Sequence, residues 1–485
     1  KSKKELAPTE DEGIVFAVVQ TAPDATLGYT VRGFSKVADA FMSVPEAKFF
    51  FQVAEMAMGG GFGGIQTVDW HKRTRTTEDI QQDVIGKLMQ IEDLRSIAVR
   101  PAPLPGAGQF DVELMVTSGA EAQEMEPIIN QIIGAGYGSG KFVYVDSDLK
   151  IDLPQTRIEI DRKKVADLGL DLADIGRDLS VLLAGGYVNR FNYQGRSYKV
   201  IPQVGDDLRQ IPEQVLQWKV RTRDGGSVTL RSLVNLRTEA VPRVLTRFQQ
   251  RNSAKIYGVV APGVTKEEAL SALETAAKAI VPPGYAIDYA GESRQMRTEG
   301  ATLVSTLGFA VGLIYLVLAA QFGSFRDPFI VLFGSVPLAL TGALVFTAGG
   351  ITTVNIYSQV GLITLVGLVA KNGILIVEFA NHLQEEGLSK REAVKRAAGT
   401  RLRAILMTSA ATVFGHFPLV LVTGAGAEAR NSIGIVLVSG MAISTIFTLF
   451  VVPSLYVLLA AKHATKIDPE ADAAANNPHT ALAHA

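Results

Sequence analysis

Residues 365–383 read LVGLVAKNGILIVEFANHL. They lie in an apolar run from Val354 to Ala380, long enough to cross a bilayer, whose hydrocarbon core takes about 20 apolar residues in helix. Lys371 stands well inside the run, with Asn372 beside it and Glu378 two turns on. A lysine at that depth costs about 2.5–3.5 kcal/mol on insertion scales. The stretch therefore predicts a membrane helix and demands a reason for its cation.

The rest of the chain sorts around this run. Of 485 residues, 47% are hydrophobic, but the long apolar stretches concentrate in 301–461, while 1–296 is rich in charge. The net charge of −1 gives no ground for a nucleic-acid partner, and no basic patch with interleaved aromatics is present. The absence of cysteine excludes disulfides and thiolate metal sites. The opening KSKKELAPTEDEG has no apolar signal-peptide core.

Five spans are expected, at about 301–322, 328–348, 354–380, 405–423 and 432–459. An odd number puts the first 296 residues and the C-terminal tail on opposite sides. With the large region outside, the inside loops hold Arg326, Lys390, Arg391, Lys395, Arg396, Arg401, Arg403, Lys462 and Lys466, and the outside loops hold Arg430. The positive-inside rule then makes residues 1–296 extracytoplasmic and the tail cytoplasmic. SKREAVKRAAGTRLR is expected as a basic amphipathic helix at the cytoplasmic surface, in contact with lipid headgroups.

In the large region the order strand (13–21), helix (27–44), strand (47–54), strand (65–70), helix (77–92), strand (111–116) is a βαββαβ pattern. A second such unit is expected from a helix near 120–134 and a strand at 141–144, resuming with a strand at 255–260, a helix at 266–280 and a strand at 286–289. A strand-rich insertion at 157–246 interrupts it. The glycine run 59-GGGFGG-64 lacks the GK[ST] ending of a phosphate loop and is expected as a flexible loop. His71 and His416 are isolated, and neither zinc spacing nor a GxSxG occurs, so no catalytic residue, metal ligand set or enzyme activity is expected.

Three readings of Lys371 stand: a snorkelling lysine, a cation that glues helices by pairing with a carboxylate, or part of an ion or proton relay. Glu378 shares its helix face about 10 Å away along the axis, too far for a direct pair. The other spans hold no interior Asp or Glu. In 401-RLRAILMTSAAT-412, Thr408, Ser409 and Thr412 either bond back to their own helix or join such a site, and Arg401 and Arg403 are otherwise plain interface anchors.

GLVAKNGILIVEFA followed by TRLRAILMTS resembles the second half of resistance–nodulation–division (RND) transporters, in the hydrophobe/amphiphile multidrug efflux branch of Gram-negative inner membranes. The similarity extends through 5-ELAPTEDEGIVFAVVQTAPDAT-26, 157-RIEIDRKKVADLGLDLADI-175, 258-GVVAPGVTKEEAL-270 and 320-AQFGSFRDPFIVLFGSVPLALTGAL-344. It implies an α+β membrane protein with periplasmic ferredoxin-like (βαββαβ) porter subdomains at 10–117 and at 118–156 with 247–292. It also implies a β-rich docking domain at 157–246, a five-helix transmembrane bundle within 300–461 and a disordered cytoplasmic tail at 462–485.

By motif, the family's proton-relay lysine, threonine and arginine fall on Lys371, Thr408 and Arg401, with Asn372 adjoining. The two aspartates they work with belong to an N-terminal half, so the chain is expected to be a fragment or one partner of a split pair. The substrate-pathway switch loop matches 51-FQVAEMAMGGGFGG-64, with Phe51, Met56, Met58 and Phe62 as its lining. The resemblance further implies no cofactor beyond the proton-motive force, a homotrimer, a periplasmic adaptor, an outer-membrane channel and small hydrophobic substrates. Two alternatives remain: copper or silver efflux through Met56 and Met58, whose thioethers suit Cu(I), and a structural membrane subunit without transport of its own.

Overall fold

The computed structural model describes residues 4–55, 60–92, 94–222, 224–299 and 302–462. The described residues form two compact units: Ala22–Ala25 with Leu149–Leu245, and the remainder. The expected disordered tail lies, from residue 463 onward, outside the described residues.

The larger unit begins with an antiparallel sheet in the order β2-β3-β1-β4, built from β1 (Ile14–Gln20), β2 (Ala47–Glu55), β3 (Gly60–Thr67) and β4 (Arg95–Val99). Helices α1 (Leu27–Met42) and α2 (Thr77–Leu88) cover one face, each opened by a threonine cap. Thr76 and Asp79 form a capping box, satisfying backbone N–H groups that the first helical turn leaves free. Alternation along β1 sends Val15, Ala17 and Val19 into a core with Phe34, Phe41, Ile65, Ile80 and Leu88.

Two sequence expectations change here. The closing strand of this sheet is β4, not the stretch at 111–116. That stretch is β5 (Val112–Ser118), which belongs to a second sheet. β4 is five residues long and follows the end of α2 closely, so it left little pattern. β5 is buried on both faces and reads as an unbroken apolar run. The described glycines of the GGGFGG run lie in strand β3, not in a loop. A Cβ on Gly61 would fall 2.8 Å from the Phe34 ring and 2.1 Å from the Val53 carbonyl oxygen, so only glycine lets helix and neighbouring strand approach this closely.

The second sheet runs β13 (Thr246–Phe248), β14 (Arg251–Val260), β5, β15 (Ala286–Tyr289), with β6 (Phe142–Ser147) also paired to β14. Helices α3 (Ala122–Gly138) and α6 (Lys266–Ile280) pack together beside it. Helix α7 (Gly291–Glu299) is fastened to β5 by the Ser293 hydroxyl, which accepts from the Glu113 N–H at 3.0 Å. A buried ion pair adds to this: Lys266 Nζ lies 2.7 Å from Glu292 and 3.6 Å from Asp111. Burial opposes the charge on Lys266, but the two carboxylates outweigh it and hold the lysine as a cation.

Five long helices follow: α8 (Thr302–Phe322), α9 (Arg326–Ala348), α10 (Ile356–Glu385), α11 (Lys390–Val420) and α12 (Ala427–Leu459). Among the described residues four are long and apolar enough to cross a membrane, namely α8, α9, α10 and α12. The expected surface helix around 389–403 and the expected span from 405 are one continuous helix, α11, because nothing between Lys390 and Pro418 breaks it. Its charged first half lowers its hydropathy. Helix α12 packs on α9, α10 and α11. Small residues allow the close crossings: a Cβ on Gly440 would fall 2.3 Å from Leu365, and one on Gly342 2.8 Å from Ile443.

The N-terminal segment is stitched to the ends of these helices. Glu5 N–H donates to the Val354 carbonyl at 3.3 Å, Ile356 N–H to the Leu6 carbonyl at 2.9 Å, and the Thr353 hydroxyl to the Glu5 carboxylate at 2.5 Å. Glu10 accepts from the N–H groups of Glu428 and Ala429 at 3.2 and 2.8 Å, capping the first turn of α12. Asp11 accepts from both terminal nitrogens of Arg73 and from Thr77 N–H.

The smaller unit holds an antiparallel ribbon of β7 (Ile151–Ile160) with β12 (Val234–Pro242). It also has helices α4 (Arg162–Asp167) and α5 (Leu172–Ala184), a hairpin of β8 (Asn189–Tyr193) with β9 (Arg196–Val200), and a short pair of β10 (Lys219–Arg221) with β11 (Ser227–Thr229). Val165, Ile175, Leu179, Leu230 and Leu233 form its core.

Two measurements check these contacts. Lys266→Met strands the buried Glu292 carboxylate and should cost roughly 3–5 kcal/mol of stability, most of it regained by adding Glu292→Leu. Burial works against ionisation of Asp11, but Arg73 and the Thr77 N–H outweigh it and lower the carboxyl pKa. A lowered acid stabilises above its ordinary range and loses that contribution as pH falls through the folded-state value. Denaturation curves should therefore weaken below about pH 4 in the native protein, and less so in Asp11→Asn.

Candidate functional site

Lys371 lies near the middle of α10 and is half-buried. Its Nζ reaches the Thr412 hydroxyl on α11 at 3.5 Å, a long contact. Among the described residues no carboxylate lies within ion-pair distance of it. Asn372, the next residue, is fully buried and also reaches α11. Its Nδ2 donates to Ser409 Oγ at 3.2 Å, and the Thr445 hydroxyl of α12 donates to the same oxygen at 3.1 Å. The Asn372 Oδ1 is buried without a hydrogen-bond partner among the described residues. Three helices thus meet around a polar centre of one amide and two hydroxyls, with a cation on its rim.

The other two predicted relay residues stand apart. The Thr408 hydroxyl bonds back to the Ile405 carbonyl at 3.2 Å, and Thr412, one turn on, to the Thr408 carbonyl at 2.8 Å. Arg401 places its guanidinium 4.7 Å from the centre of the Phe379 ring, with its Nε buried and without a hydrogen-bond partner among the described residues. Phe379 is eight residues from Lys371, about 12 Å along the helix, so Arg401 is not at the lysine. Thr412 and Ser409 are the hydroxyls that meet Lys371 and Asn372. Both were visible in the sequence as polar positions of α11, but which faced α10 depended on the rotation of the helix. Thr445 sits in an apolar run and carried no sequence signal.

Phe51 and Phe62 come together on the face of the first sheet that the helices leave open. Their ring centres are 6.1 Å apart, and Phe16 lies 6.3 Å from Phe51. Phe16 and Phe51 both pair with Gly64, and a Cβ there would fall 3.0 Å from the Phe16 ring, so the missing side chain leaves that ring its place. Phe49, Phe51, Val53 and Phe62 are each more than a third exposed, giving an apolar strip on the surface. Phe16 was missed because alternation along β1 marks it only as the outward position. Met56 and Met58 lie outside the described residues.

The family model for the AcrB/AcrD/AcrF family matches residues 2–460. An uncharacterized transporter of Haemophilus influenzae is 38% identical over 470 residues, covering 95% of this chain and 45% of its own length. The multidrug export protein AcrF of Escherichia coli is 31% identical, over 93% of this chain and 45% of its own. The multidrug/solvent efflux pump membrane transporter MepB of Pseudomonas putida is 31% identical, over 97% and 46%. The chain spans a little under half the length of these relatives.

The polar centre is open to a direct test. Ser409→Ala removes the shared acceptor of Asn372 and Thr445. It should lower stability of the membrane part by about 0.6–1.7 kcal/mol, the range of interhelical hydrogen bonds in membranes. Denaturation of the detergent-solubilised protein measures it.

Proposed function

The chain belongs to the AcrB/AcrD/AcrF family of RND efflux transporters, and we propose that it forms the C-terminal half of a proton-driven pump. The pump moves hydrophobic or amphiphilic compounds out of the inner membrane or periplasm. The observation that carries this reading is Lys371: a half-buried cation on an apolar helix whose polar contact is a hydroxyl, with no carboxylate near it among the described residues. A cation so placed is costly unless it has work to do or a partner to meet. In this reading α8 to α12 all cross the membrane, α11 by its second half, with residues 1–296 periplasmic. The partner is a pair of carboxylates carried by the upstream half.

While those carboxylates are ionised, Lys371 is held to them across a low-dielectric gap. Protonation of one weakens the attraction and frees the ammonium to swing toward Thr412. The shift is passed through the Asn372–Ser409–Thr445 contacts to α11 and α12. The two sheet units are the ferredoxin-like porter subdomains, and their relative movement drives transport. The proton gradient supplies the free energy, and no nucleotide or bound cofactor takes part. The smaller unit serves as the docking domain toward a neighbouring subunit, an adaptor and an outer-membrane channel, in a trimer. The exposed Phe49–Phe51–Phe62 strip supports apolar substrates, for which it offers surface without charge.

The test is dye efflux in cells producing this chain with its upstream half, wild type against Lys371→Met. Methionine keeps the length and removes the charge. Efflux should fall to the level of cells without the pump while trimer yield is unchanged. Wild-type efflux in the variant would leave the lysine with no part in energy coupling.

A further inference from the structure

We propose that His416 is a proton-relay residue on the extracytoplasmic side of Lys371; the inference rests on the proton-coupled reading above. Three hydroxyl- or ring-bearing residues stand one turn apart on α11: Thr408, Thr412 and His416. Each of the last two bonds back to the carbonyl of the one before, Thr412 to Thr408 at 2.8 Å and His416 Nδ1 to Thr412 at 2.8 Å. Thr412 is also the residue that Lys371 touches. The ladder places His416 about 6 Å farther along the axis than Thr412, away from the basic start of the helix. Val420, four residues on, ends α11. His416 therefore occupies the last full turn between the lysine and the outer end of the helix.

The local chemistry suits proton passage. The Thr412 carbonyl takes the Nδ1–H of the neutral ring, which leaves Nε2 as the acceptor. Nε2 has no hydrogen-bond partner among the described residues. No other ionisable side chain occurs in the sequence between Arg403 and Glu428. The helices packed against α11 are α10 and α12. On α10, Lys371 reaches α11, Glu378 shares its face two turns toward the basic start of α11, and Tyr357 stands at the opposite end of the helix. On α12 the sequence has none between Arg430 and Tyr456, and Glu428 and Arg430 stand at its outer end. Among the described residues of α11 and α12, His416 is thus the ionisable side chain that lies between that outer end and the level of Lys371.

In the step, a proton from the outside binds Nε2 of the neutral ring and gives the imidazolium. The same Nε2 proton then passes inward to an ionised carboxylate of the upstream half beside Lys371. The ring returns to neutral, and the carboxylate becomes the carboxyl that releases the lysine. One proton enters and one leaves, and the histidine is unchanged.

The experiment uses the whole transporter, this chain with its upstream half, in proteoliposomes with an internal pH dye, following proton flux after a pH step in the presence of substrate. His416→Gln should slow the flux by about a hundredfold. His416→Ala should recover it when imidazole is added, beyond the leak that imidazole itself produces in Lys371→Met liposomes, a rescue that lost packing would not show. Wild-type flux in His416→Gln, with Lys371→Met inactive, overturns the relay and leaves the proton-coupled reading intact. Slow flux in both histidine variants without imidazole rescue makes His416 a packing residue and also overturns it. Wild-type flux in Lys371→Met removes the coupled reading and the relay with it.

Discussion

A positive charge held at mid-depth in an apolar helix is the constraint on which the membrane part of this protein turns. Lys371 stands near the middle of α10, and the described residues give it one hydroxyl 3.5 Å away. Around it the structure economises on polarity. The buried Asn372 is anchored by one hydroxyl, which a second hydroxyl from α12 shares. Close helix crossings at Gly440 and Gly342 bring α9, α10 and α12 near enough for short side chains to meet. In the proposed pump a polar centre made of so few groups would respond to a single proton nearby, because little else competes for the charge.

The outer sheet shows the same economy with apolar groups. Gly61 admits Phe34 from the helix side, and Gly64 leaves the Phe16 ring its place on the other. A strand of glycines therefore serves two faces at once: it tightens the core beneath and opens a seat for an aromatic ring above. The cost is entropic, since glycine weakens a strand, and the neighbours β1 and β2 hold it in register on both sides.

Much of this was legible in the sequence where one physical rule dominated. Helix α6 was read to the residue, because Thr265 caps it, Glu268 completes the box and apolar spacing runs unbroken to Ile280. Strand β15 was equally plain between its turns. Reading failed where two rules conflicted. Glycine propensity argued loop at β3 while sheet pairing required strand, and the burial of β5 hid which sheet it joined. At the site, the sequence marked Lys371, Asn372 and the hydroxyls of α11. It did not say which hydroxyl faces which partner, because one hundred degrees of helix rotation separates adjacent residues. Arg401 was placed with the lysine by motif, and the structure seats it on Phe379 instead.

The N-terminal segment has a mechanical meaning. Between the hydrogen bonds of Glu5 and Leu6 to the start of α10 and the first paired residue of β1, Ile14, only seven residues intervene, and three of these are themselves fastened, Glu10 to α12, Asp11 to Arg73 and Gly13 to Thr67. A chain pinned at such short intervals has almost no slack. The N-terminal ends of α10 and α12 and the strand beneath the aromatic strip are thereby tied by one short run of chain, which limits how far any of them can move without the others.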